Sequence, residues 1–194
     1  MSDFSNHQAH VITHSIVITL LPLSPIPFAD WILEPVVARR LFTPLMKHPN
    51  QRRHFIGKGG NFCLGCITSL LLYPFVKLIR ILRFFLQFNT FVKTFFYWYY
   101  KGYIVHQAQS RLSESTLQDH QKMFLLGQEV DQWLRTSDQV PSMTSSSLTN
   151  LQSLRRLYSE VKNGDRHTVQ SILENTDSLD AWLESWCDKH DTPN

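Results

Sequence analysis

No aspartate or glutamate stands between Glu34 and Glu114, so the bases inside that stretch have no acid close to them in sequence. Lysine and arginine are in turn missing before Arg39, which leaves the N-terminus without the positively charged region of a secretory signal. Synthesis without cleavage, on the cytoplasmic side, is the expectation. Three cysteines in 194 residues are too few, and odd in number, for a secreted disulfide scaffold. A long uninterrupted apolar run is also lacking. Residues 11–29 carry no formal charge, but Pro22, Pro25 and Pro27 break a straight span, and the uncharged run 62–76 is shorter than the ~20 residues a crossing needs.

Catalytic signatures are missing too. No H-E-x-x-H, G-x-S-x-G or complete P-loop order occurs, and Gly57-Lys58-Gly59-Gly60 reads as a turn or an anion-binding loop of backbone amides. No reaction follows from these residues.

What the chain does have is base and aromatic bulk in one block. Residues 35–113 hold twelve of the nineteen Lys and Arg and sum to +12, whereas residues 114–194 sum to −6. Within the basic block lie Phe84, Phe85, Phe88, Phe91, Phe95, Phe96, Tyr97, Trp98, Tyr99 and Tyr100. Bases set among Leu, Ile and Phe argue against nucleic acid, whose binders surround their bases with polar residues. They fit an anionic lipid surface, where long basic side chains snorkel to phosphates and Trp and Tyr settle at the boundary. Lys58, Lys77, Arg80, Arg83, Lys93, Trp98 and Lys101 are the candidate lipid contacts.

The expected fold class is all-α. Residues 1–30 read as a flexible tail followed by an apolar Pro-rich segment, with 11–21 fitting a strand or a short buried helix equally well. Residues 31–111 read as a basic, aromatic, membrane-associated helical region of amphipathic, interfacial helices. In it, Pro35 suits the first turn of a helix running to Phe42, with Asp30 and Glu34 near its positive end. A second helix over 78–106 gathers Arg80, Arg83, Gln87, Thr90, Thr94 and Lys101 into one slim polar stripe, leaving the rest of its surface apolar. Bases flank 62–76 on both sides, so the positive-inside rule places both flanks in the cytoplasm and favours an in-plane or re-entrant arrangement.

Residues 112–194 read as an acidic, soluble helical region. Its expected helices cover 116–136, 148–162, 167–175 and 177–190, with a serine-rich linker at 137–147. Leu117, Met123, Phe124, Leu126, Val130 and Leu134 are its expected buried positions in the first helix.

Three functional readings follow. The first is a membrane-associated binding or scaffolding protein on the cytoplasmic face, holding anionic lipid and offering its C-terminal helices to a protein partner. The second is a soluble helical bundle whose bases meet an acidic partner or the chain's own acidic half. The third uses Cys63-Leu64-Gly65-Cys66 as a redox pair, or with His48 and His54 as a zinc site, although the spacing matches no standard finger. No cofactor is otherwise expected. Ser24-Pro25-Ile26-Pro27-Phe28-Ala29-Asp30 resembles the Pro-x-Pro-x-x-Asp phrase of the EcsC-like membrane-associated proteins. It spans seven of 194 residues, and it implies membrane association and no more.

Overall fold

A computed structural model describes residues 2–23, 29–56, 78, 88–136, 159 and 177–191. They are mostly helical, with no strand among them. Helix α1 spans Ser2–Leu20 and gives way to a 3-10 turn at Leu21–Leu23, where Pro22 bars a longer helix. Helix α2 spans Ala29–Phe42, a 3-10 segment follows at Pro49–His54, and the long helix α3 runs from Phe88 to Arg111. Helices α4 (Glu114–Gln118), α5 (His120–Thr136) and α6 (Asp177–His190) complete the described elements.

Helix α3 is the centre, with α1 and α2 on one side and α5 and α6 against it as well. Phe95, Phe96, Trp98, Tyr99, Tyr100, Tyr103, Ile104, Val105 and Ala108 are all buried on it, so it hides nearly its whole circumference, as a helix apolar all round must. Aromatic pairs one turn apart stiffen it: Phe95 stacks on Tyr99 at 6.0 Å and Phe96 on Tyr100 at 5.4 Å. A single core cluster includes Val11 and Ile16 from α1, Leu41 and Phe42 from α2, Leu126 and Val130 from α5, and Leu183 and Trp186 from α6.

Two glycines allow close approaches between elements. A Cβ on Gly102 of α3 would stand 2.7 Å from Val11 Cγ1, and one on Gly127 of α5 would stand 2.7 Å from the backbone oxygen of His54. The absence of a side chain at each lets α1 settle on α3 and the 3-10 segment settle on α5.

The end of α2 is fastened by α1. Of its last four carbonyls, Arg39 O accepts from Thr43 N and Phe42 O from Leu45 N. His10 Nε2–H of α1 points at the other two, Arg40 O and Leu41 O, each at 3.2 Å.

Four sequence expectations need correction. Residues 1–10 were expected as a flexible tail, yet from Ser2 on they belong to helix α1, whose apolar face gains from packing on α2 and α3; for 11–21, left open between a strand and a short buried helix, most residues are in this same helix. Pro35 lies inside α2, not in its first turn, because the helix starts six residues earlier at Ala29. The helix expected over 116–136 is two, α4 and α5. Asp119 stands between them and caps α5, its Oδ1 accepting from Gln121 N at 2.8 Å and Lys122 N at 3.2 Å. Phe124 is half exposed, while Leu117, Met123, Leu126, Val130 and Leu134 are buried. The last helix has the bounds expected for it. The linker at 137–147, the two helices between it and α6, and the run 62–76 lie outside the described residues.

Candidate functional site

The bases of the middle block meet acids of the C-terminal half. Four ion pairs form between described residues, and each joins residues 35–113 to residues 114–194. Lys47 Nζ lies 3.8 Å and His48 Nε2 2.8 Å from the Glu114 carboxylate, Lys101 Nζ lies 2.5 Å from Asp131, and Arg111 lies 2.8 Å from Asp180. Those at Glu114 and Asp180 are exposed, so each contributes little to stability. Hydrogen bonding from His48 is the main cause holding the Glu114 carboxyl below its ordinary pKa.

Lys101 is different. Its side chain is 1% exposed, set between α3 and α5. The ammonium donates to Tyr97 Oη at 3.3 Å, and Tyr97 Oη donates to the same Asp131 oxygen at 2.8 Å. The rings of Tyr97 and Trp98 lie 5.4 and 5.5 Å from the charge, close enough for a cation–π contribution. Burial lowers the Lys101 pKa, and Asp131 opposes that fall. Burial also raises the Tyr97 phenol well above its ordinary value, so it stays protonated as a donor.

Trp98 and Lys101 were both expected at lipid headgroups, and both are buried in the core. Lys101 there has a carboxylate, a phenol and two ring faces around it. Lys93 is exposed. Lys58, Lys77, Arg80 and Arg83 lie outside the described residues, as do Cys63 and Cys66. Leu78, next to Lys77 in sequence, is helical and 66% exposed.

The other zinc candidates, His48 and His54, are among the described residues. His48 bonds Glu114, and His54 sits edge-on to His120 at 5.9 Å and to Phe124 at 5.5 Å. Among the described residues no group of three His, Cys, Asp or Glu could hold a metal ion. Nor is any described helix long and apolar enough to cross a membrane.

The outward face of α2 is the surface that sequence reasoning passed over. Ile32, Val36, Arg39, Arg40 and Thr43 recur at helical spacing and are all exposed, Ile32 by 52% and Val36 by 46%, while Ala38, Leu41 and Phe42 face the core. Neither arginine forms an ion pair with a described acid. Glu34 projects on the opposite side of the helix, near enough to Lys101 to act on its charge. The signal was present in the sequence as apolar and basic residues at 32, 36, 39, 40, but it was overshadowed by the longer stripe on residues 78–106.

No protein-family model matches this chain, and no curated protein or solved structure matches it either. The short EcsC-like phrase is therefore not extended by any family match.

Proposed function

We propose that this protein is a binding or scaffolding protein that attaches to anionic membrane on its cytoplasmic face, with the outward face of α2 as its described contact. The observation that supports this reading best is the pairing on one exposed face of two large apolar side chains, Ile32 and Val36, with two arginines that no described acid neutralises. An in-plane helix of that kind buries its apolar residues among the acyl chains and lays its bases on the phosphates. Exposed Lys93 and Arg53 add positive charge, and the C-terminal helices remain candidates for a protein partner.

A second reading has its own support. Because Lys47, His48, Lys101 and Arg111 are matched by the chain's own acids, part of the basic block serves internal pairing, as expected of a soluble helical bundle. The two readings separate at Arg39 and Arg40. Each headgroup contact contributes about 1 kcal/mol, so Arg39→Gln with Arg40→Gln removes about 2 kcal/mol, or roughly thirtyfold in binding to anionic vesicles. Binding to neutral vesicles stays nearly unchanged in that variant, whereas Ile32→Ser with Val36→Ser weakens binding to both. Equal binding of all three proteins to anionic vesicles rejects the α2 face as the attachment surface.

A further inference from the structure

Helix α1 carries His7, His10 and His14 within one narrow sector of its surface, and that sector faces the neighbouring helices. The His7 ring lies 5.0 Å from the ring of His106 on α3, and the His10 ring lies 4.0 Å from that of His14. His10 Nε2–H holds the terminal carbonyls of α2, and His14 Nδ1–H donates to His10 O at 2.9 Å. Four imidazoles thus sit along the seam by which one helix is attached.

We propose that the seating of α1 on α2 and α3 is an acid-released latch: closed while His10 and His106 are uncharged, and opened when they take up protons. Two aspects of the seam support it apart from the histidines. Tyr99 Oη and Gln8 Nε2, which line the small pocket between His7 and His106, are both buried with no hydrogen-bond partner. Gly102 also brings α3 close against α1, so a seam already short of polar partners has little room to rearrange around new charge.

Among the described residues, the charged and titratable groups around the seam are of mixed sign. From α3 come Tyr99, Tyr103 and His106, with Asp180 of α6 reaching Tyr103 but also bound to Arg111. From α2 come the exposed Arg39 and Arg40, which add positive charge, and Glu34, which acts on Lys101. Asp3 is the one acid in the sequence of α1. A protonated His10 keeps its bonds to the α2 carbonyls, which favour a cation, so the penalty on its charge comes from burial and the adjoining rings.

The titration of two of the rings has the required sign. Burial is the main cause holding the His10 pKa below its ordinary value, with His14 next, and burial then His7 do the same for His106. A released α1 therefore binds protons at a higher pH than a seated one. Seating is fully favourable above the free histidine value and weakens as pH falls below it, through the lowered values of the seated state. Release uncovers Val11, Ile12, Ile16 and Ile18 beside α2. The consequence, which rests on the membrane reading, is stronger vesicle binding in acid.

Amide hydrogen exchange of the full chain, without lipid and corrected for intrinsic rates, tests the latch at about pH 7.5 and about pH 5.5. The expected result is a loss of roughly tenfold or more in protection over residues 11–20, with α5 unchanged as an internal control. The double variant His10→Gln, His106→Gln, in which a Gln amide can still donate to the α2 carbonyls, is expected to lose most of that pH dependence. Equal protection of residues 11–20 at both pH values in the wild-type chain overturns the latch, and that arm needs no variant to fold. Anionic vesicle binding at the same two pH values then tests only the consequence: release in acid without stronger binding rejects the membrane coupling and leaves the latch standing.

Discussion

Replacing Asp131 by Asn removes the only carboxylate paired with Lys101 among the described residues while keeping the size of the side chain. The ammonium that remains is 1% exposed and, among the described residues, retains Tyr97 Oη, the two aromatic faces around it and the more distant charge of Glu34. Stripping one partner from a fully buried pair costs about 3–5 kcal/mol, since an uncompensated charge stays in the core. Asp131 keeps 28% of its side chain in solvent, so the pair is partly screened and the lower end, about 3 kcal/mol, is expected. Urea unfolding followed by far-ultraviolet circular dichroism measures it. The double variant Lys101→Met, Asp131→Leu is expected to recover most of the loss, because it leaves no charge behind, although Tyr97 still forfeits an acceptor worth about 1 kcal/mol. Alkaline pH supplies a further check. Losing Asp131 depresses the Lys101 pKa further below that of the unfolded chain, so the unfolded state binds more protons between the two values and Asp131→Asn regains stability as pH rises through that window. A loss below about 1 kcal/mol, the size of an exposed pair, refutes the account of Lys101 as a core residue.

Three further substitutions test the packing and the clamp on α6. Gly127→Ala drives a methyl group against the His54 carbonyl, which cannot rotate away, and should cost about 1–3 kcal/mol in thermal or urea unfolding, whereas Gly102→Ala meets the Val11 side chain and should cost less. Asp191, just beyond α6, accepts from Ser113 N at 2.9 Å and Ser113 Oγ at 2.5 Å. Burial pushes its carboxyl up, but those bonds outweigh it and hold the pKa below the ordinary value, so the clamp should weaken as pH falls through that lowered value. Ser113→Ala should cost about 1 kcal/mol and flatten that acid dependence, seen as loss of its effect on α6 amide exchange.

The legible part of this fold was its helical class and its strongest amphipathic helices. The last helix was readable to the residue because Leu179, Leu183 and Trp186 mark one face and acids begin it while Lys189 and His190 end it. The start of α1 was not, since Ser, Asn, Gln and His in residues 1–10 look like a tail unless the imidazoles are seen to face another helix. The break at Asp119 was hidden because a helix cap reads, in sequence, as one more polar residue of a continuous helix. For the basic block, the lack of nearby acids pointed outward to lipid. The partners of Lys101 and Arg111 instead lie 30 and 69 positions along the chain, a separation that only the tertiary fold closes. The contrast between a +12 block and a −6 region was the available signal, and the bundle uses part of it for pairing within itself.

Attachment to membrane is tested most directly by where the full-length chain goes when cells expressing it are broken at low ionic strength without detergent. The account predicts recovery in the membrane fraction and partial release by high salt, since the arginines of α2 are screened while Ile32 and Val36 are not. Recovery in the soluble fraction at low salt contradicts it.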